Sequence, residues 1–193
     1  WLLTRASNCR IFQDLSVPDI VAQVCGAPGY GGLVDLSAGA LSGSYPALPY
    51  CVQYRETDFN FVCRLLEGAG IYFFFTHDAD KHTMVLADSY GAHVSIAGEA
   101  LKFSSEDRRL STDDEMVFAW SASGEIQPSA FALNDFDFEK AAASNSGGLL
   151  VKSTIAAAFE QSAFEMFDYP GGYTLAAEGT SLARGRMESL HGQ

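Results

Sequence analysis

No apolar run in this chain approaches the roughly 20 residues that a membrane-spanning helix needs. The longest, Gly70-Ile-Tyr-Phe-Phe-Phe75, stops at Thr76-His77-Asp78. Basic residues are few: 12 Lys and Arg stand against 24 Asp and Glu, a formal net charge of −12. A chain this acidic repels a phosphate backbone and an anionic lipid surface, so neither is expected as its main partner. Cysteine is scarce as well. Cys9, Cys25, Cys51 and Cys63 form no Cys-x-x-Cys pair and match no zinc-ligand spacing. Four in 193 residues do not make a disulfide scaffold. Cys25 and Cys63 fall on apolar helix faces, so buried free thiols are expected. The sequence also lacks an initial Met and a stop signal after its last helix-like stretch, and it is expected to be a fragment.

What is present is a globular composition, 48% apolar and 19% charged, long enough to bury a core. Residues 1–13 read as an edge strand. Ser16-Val-Pro-Asp19 then opens a helix, with Ser16 as N-cap, Pro18 in the first turn and Ile20, Val21, Val24 and Cys25 on its apolar face. Residues 26–48 are rich in Gly, Ser and Ala and read as loop. Tyr50–Tyr54 is a short strand. Thr57 or Asp58 caps the next helix, whose apolar stripe is expected at Phe59, Val62, Cys63, Leu65 and Leu66. Ile71–Phe75 and Met84–Ala87, separated by a polar turn, form a hairpin. The charge-dense stretch 104–115 reads as a connection. Met116–Trp120, Phe131–Phe138 (with a phase shift near Asn134) and Phe164–Tyr169 are further strands. A final helix over 178–191 aligns Leu182, Arg186 and Leu190, with Met187 nearby.

Chemistry-bearing patterns are thin. Leu41-Ser-Gly-Ser-Tyr45 is the nearest approach to a nucleophile elbow, but no strand precedes it and no helix follows. Gly26-Ala-Pro-Gly-Tyr-Gly-Gly32 follows a helix and lacks the phosphate-binding Lys. His77-Asp78-x-Asp80-x-His82 gathers possible metal ligands, yet the turn is read as solvated, with nothing to hold the side chains still. Asp135, Asp137 and Glu139 form an acidic row, expected as the wet face of a half-buried strand. With Glu125 they are the acids available to a carboxylate-dependent cell-wall hydrolase, which needs two groups held about 5–10 Å apart. No catalytic residue, metal ligand or cofactor site is assigned. Aromatic residues Phe59, Phe61, Tyr72, Phe73 and Phe75 are expected to build a core.

The stretch from Tyr50 to His77, Tyr-Cys-Val-Gln-Tyr-Arg-Glu-Thr-Asp-Phe-Asn-Phe-Val-Cys-Arg-Leu-Leu-Glu-Gly-Ala-Gly-Ile-Tyr-Phe-Phe-Phe-Thr-His, closely resembles the valine-glycine repeat (VgrG) spike proteins of type VI secretion. Arg10-Ile-Phe-Gln13 with Ser16–Ile20, His82–Asp88 and Phe167-Asp-Tyr-Pro-Gly-Gly-Tyr173 agree in order. The resemblance implies a hub of the kind found in contractile phage baseplates. Its expected fold is α+β to mainly β: an antiparallel β-barrel segment with an α+β insert of two short helices and a hairpin. The insert would occupy residues 1–103 and the partial barrel, with its C-terminal helix, residues 104–193. It further implies a homotrimer that caps the hexameric tube protein (Hcp), contacts baseplate components and carries effector cargo. No enzymatic activity, cofactor, nucleic acid or small-molecule ligand is implied. The same hub in a phage particle is the alternative. Such a protein would assemble in the bacterial cytoplasm and then be translocated into a target cell. Arg55, Glu56 and Asp58, charged residues at a helix entrance inside the long motif, are the candidate interface; capping and local ion pairing explain them equally well.

Overall fold

The computed structural model describes residues 1–30, 32–95, 101–103, 116–138, 149–154 and 164–191. The chain divides into two compact units, one of residues 1–89 with 127–193 and one of residues 90–126.

In the larger unit a 3-10 turn, Leu2–Arg5, leads into β1 (Ser7–Phe12), so the start of the chain is helical turn before it is strand. Helix α1 (Val17–Cys25) begins as the sequence predicts: the Ser16 hydroxyl accepts from the Asp19 N–H, and Pro18 occupies the first turn. Ile20, Val21 and Val24 are fully buried. Strand β2 (Asp35–Ala40) lies inside the stretch expected to be loop. Its Asp-Leu-Ser-Ala-Gly-Ala sequence has little strand propensity. The pairing is imposed by a parallel neighbour across the fold, which local sequence does not reveal.

Strand β3 (Cys51–Thr57) pairs antiparallel with β1. Helix α2 (Asp58–Ala69) follows directly, its N-cap being Thr57, whose hydroxyl accepts from the Asn60 N–H at 3.1 Å. Gly70, at φ 69°, closes it in the left-handed conformation that glycine adopts without steric cost. The buried stripe is Phe61, Val62, Leu65 and Leu66, while Phe59 and Cys63 are only half-buried. The stripe is therefore rotated from the expected one, because Phe61 stacks on Phe12 of β1, ring centroids 5.5 Å apart. The hairpin β4 (Tyr72–His77) and β5 (His82–Ala87) is present, with β2 on the far side of β5. Its Tyr72 and Phe75 are exposed rather than part of the core. A first core joins α1, α2, Phe12, Met84 and Leu86.

The smaller unit contains a 3-10 turn, Tyr90–Ala92, and the short parallel pair β6 (Lys102–Phe103) and β7 (Met116–Val117), so the predicted strand 116–120 is cut to two residues. None of its described residues is buried. The connection 104–115 and the low-complexity stretch 141–148 lie outside the described residues.

Returning to the larger unit, β8 (Ala130–Leu133) sits between β9 (Val151–Thr154) and β10 (Glu165–Asp168). β8 ends at Leu133, earlier than expected, and the chain turns at the predicted phase shift. Helix α3 (Ala176–His191) covers this sheet. Its buried line is Gly179, Ala183 and the expected Met187, while Leu182 and Leu190 are only partly buried against it and Arg186 is exposed. The reason is Tyr173: a Cβ at Gly179 would stand 2.3 Å from its ring, so only glycine admits the helix so close. The Tyr173 hydroxyl is shared between the carbonyls of Leu133 (2.9 Å) and Leu149 (2.5 Å). These residues, with Phe131 and Val151, form a second core. The fold is thus α+β with several small sheets. Among the described residues no sheet closes into a barrel, and parallel pairings accompany the antiparallel ones.

Candidate assembly surface

The β1/β3 ribbon has two faces of opposite character. Its inner face carries the pairs Phe12–Cys51 and Arg10–Gln53; its outer face carries Ile11–Val52 and Cys9–Tyr54. On the inner face Gln53 is fully buried and Asp58 is 3% exposed. The Asp58 carboxylate accepts from the Arg10 guanidinium, from the Gln53 amide at 2.7 Å and from the Tyr30 hydroxyl at 2.6 Å. Arg10 also donates to Gln53 Oε1 at 2.8 Å. A buried charge persists only when paired and hydrogen-bonded in this way. Burial, then the bond to Asp58, pushes the Tyr30 hydroxyl well above its ordinary range. Asp58 thus pins strand to helix, and its carboxylate faces the interior.

Of the other two interface candidates, Glu56 is half-buried and bonded to Arg64 Nη2 at 2.6 Å, which holds its carboxyl below the usual range. Arg64 also donates to the Val52 carbonyl at 3.2 Å, tying α2 back to the strand. Arg55 is different. The register passes from Asn8–Glu56 to Cys9–Tyr54, so Arg55 is the extra residue of a bulge. Its φ is 52°, in the left-handed region that glycine normally fills at such a bulge. The bulge turns Arg55 to solvent, where its guanidinium lies 5.3 Å from the Tyr54 ring centroid. Arginine here holds a conformation that glycine adopts at lower cost. Around it Ile11 is 59% and Tyr54 65% exposed, with Val52 and Tyr50 also open. An exposed apolar strip beside a positive group has the composition of a protein contact surface. A bulge carries no local signature unless it holds glycine, so the sequence did not announce this one.

A second exposed surface lies on β10, where all four residues are open and Met166 and Phe167 stand clear of both cores. β10 pairs with β8 along one edge.

The hydrolase candidates are arranged otherwise. Asp135 accepts from the backbone N–H groups of Phe136 (2.7 Å), Gly172 (2.6 Å) and Tyr173 (3.2 Å). The Phe136 bond first, and then the other two against a burial penalty, hold its carboxyl below the ordinary range. A general acid for glycoside cleavage needs the reverse shift. Asp137 is buried, Glu125 is exposed on the smaller unit, and Glu139 lies outside the described residues. The near-elbow at Ser42 is a carboxylate cradle: Ser42 N–H and Oγ, Gly43 N–H and Tyr45 OH all donate to Asp88. Burial pushes the Asp88 carboxyl up, but these donors outweigh it and hold the group well below its usual value. All four cysteines are free thiols. Cys25 is buried, its thiol pushed up to about 11 by burial; Cys63 is half-buried, Cys51 buried and Cys9 exposed. Among the described residues no group of three or more His, Cys, Asp or Glu side chains is placed to hold a metal ion. None of the described helices is long and apolar enough to cross a membrane.

The chain is 40% identical over its whole length to a type VI secretion system spike protein, VgrG1a, of Pseudomonas aeruginosa, and spans 29% of that protein. It is 41% identical to VgrG1c of the same organism, again over its whole length, and spans 26% of it. The chain therefore spans less than a third of these curated relatives. The crystal structure of the 43 kDa tail protein of prophage MuSo2 from Shewanella oneidensis superposes on 94% of this chain and 48% of that one, with a TM-score of 0.52 at 15% identity, a likeness of fold. The pattern of the phage tail baseplate hub (GPD) family matches residues 1–193 from end to end, and the chain belongs to that family.

Proposed function

We propose that this chain is part of the base of a type VI secretion spike, a trimeric, non-enzymatic hub that caps the Hcp tube and is translocated with its effector cargo. The observation that carries the proposal is the outer face of the β1/β3 ribbon: Ile11, Val52 and Tyr54 exposed beside a strained Arg55. Surfaces of this kind are stable in water chiefly when another protein covers them. The exposed β10 points the same way. In this reading residues 1–103 form the insert and 104–193 contribute to a barrel that strands outside this chain complete. The two cores, one within residues 3–86 and the other within 131–187, fall on either side of that boundary, though both lie in the larger compact unit. The three backbone N–H bonds that Asp135 accepts give it a structural role in the turn. The names of its relatives favour a secretion spike over a phage particle.

The test is co-purification of the full-length protein with its tube protein, together with light scattering of the spike alone. A trimer that retains the tube protein supports the proposal. A monomer at micromolar concentration that ignores the tube protein overturns it, as does turnover of peptidoglycan abolished by Asp137→Ala.

A further inference from the structure

At the tip of the β4/β5 hairpin, His77 and His82 are direct cross-strand partners. Their Nδ1 atoms stand 2.5 Å apart and their rings meet edge to face at 4.7 Å between centroids. From sequence alone this turn reads as solvated, with nothing to fix the side chains. The register supplies what was missing. Asp78 N–H donates to the Lys81 carbonyl at 2.9 Å and closes the turn. Lys81 and Thr83 both bind Asp35 of the neighbouring β2, at 2.9 and 3.2 Å, which anchors the strand start. The His77 ring stacks over Phe75, which in turn meets Phe73 edge to face. One imidazole is therefore held by an aromatic ladder, and the other is brought to it by the pairing of the strands.

Two imidazole nitrogens brought this close form the beginning of a chelate. We propose that His77 and His82 bind one borderline divalent transition metal ion, Zn2+ or Cu2+, through their Nδ1 atoms. Imidazole suits these ions, whereas Mg2+ and Ca2+ take oxygen ligands. Metal–nitrogen bonds of about 2.0–2.1 Å in tetrahedral geometry place two ligating nitrogens about 3.3 Å apart, so the pair opens by about 0.8 Å to admit the ion. Exposed χ rotations supply that movement. Ligation through both Nδ1 atoms needs, in each ring, the tautomer that carries its proton on the outer Nε2. The exposed carboxylates Asp78 and Asp80 make the turn locally negative, which favours a cation. Both histidines are exposed, so the remaining coordination positions face solvent and take water or a group from a neighbouring molecule.

The experiment titrates the untagged full-length protein with ZnCl2 alone and with CuCl2 alone, following the imidazole proton resonances and the bound equivalents. One site in each chain is lost, by at least tenfold in affinity, in both His77→Asn and His82→Asn. It survives in His93→Ala and in Cys9→Ser, which removes the exposed thiol. Cu2+ binds more tightly than Zn2+, and MgCl2 is inert. The proposal is overturned if neither ion shifts the His77 and His82 resonances at millimolar concentration. It is equally overturned if both asparagine variants, shown folded by circular dichroism, bind as tightly as the parent.

Discussion

Replacing Arg55 with glycine and, separately, with valine should reverse the usual order of these residues in a strand. In a regular strand glycine is the weaker of the two, because valine packs on the pleated surface. Arg55 sits at φ 52°, in the bulge opposite the Asn8–Cys9 step. A side chain in that conformation costs about 1–2 kcal/mol. Glycine removes that cost. Against this it loses the exposed contact with Tyr54, about 0.5–1 kcal/mol, and adds unfolded-chain freedom of about 0.5–1 kcal/mol. The sum leaves Arg55→Gly close to neutral, within about 1 kcal/mol. Arg55→Val keeps the left-handed cost, worsens it by branching at Cβ and loses the same ring contact, so it destabilises by about 1–2 kcal/mol. Urea midpoints of the two variants, compared at unchanged m-value, measure the difference directly. Glycine should unfold at the higher urea concentration. A valine variant as stable as glycine, or more so, refutes the bulge. If the order holds, Arg55→Gly is also the right tool for function: it removes the guanidinium and leaves the fold intact, so weakened trimerisation reports on contact alone.

Three other perturbations follow from the interior. Asp58→Ala leaves Arg10, Gln53 and Tyr30 without their shared acceptor and should cost about 3–5 kcal/mol, the range for breaking a buried pair; thermal denaturation checks it. Gly179→Ala drives a methyl into the Tyr173 ring and should cost about 1–3 kcal/mol, whereas Gly185→Ala, which meets nothing, should be neutral or stabilising by about 1 kcal/mol. Asp88 and Asp135 both have carboxyls held below their ordinary value, so the unfolded chain binds their protons first. Their contribution is complete above about pH 4, the unfolded carboxylate range, and is lost as pH falls through the lower folded values. The double variant Asp88→Asn/Asp135→Asn should therefore flatten the acid limb of a stability–pH curve and leave its slope between pH 6 and 8 unchanged.

Helix α1 was readable because its instructions are local: a Ser cap, a first-turn Pro, and apolar residues at helical spacing. The hairpin was readable for the same reason. Strand β2 was not, since Asp35–Ala40 takes its conformation from a strand more than forty residues away. The buried line of α3 was legible only at Met187: periodicity rewards large residues, and the closest contact is made by the smallest one, Gly179, against Tyr173. At the candidate surface the long motif drew attention to Arg55, Glu56 and Asp58 together. Only geometry separates them, placing Asp58 in the interior, Glu56 against Arg64 and Arg55 in solvent. The histidine pair shows the same division: both residues were visible, but their meeting depends on register.

The most direct measurement is the mass of the full-length spike by light scattering, with Arg55→Gly and Tyr54→Ala combined as the comparison. A threefold multiple of the chain mass, lowered in the doubly substituted protein at equal secondary-structure content, is the predicted result. A single-chain mass for the parent, or a trimer indifferent to both substitutions, contradicts the assignment of this ribbon as an assembly surface.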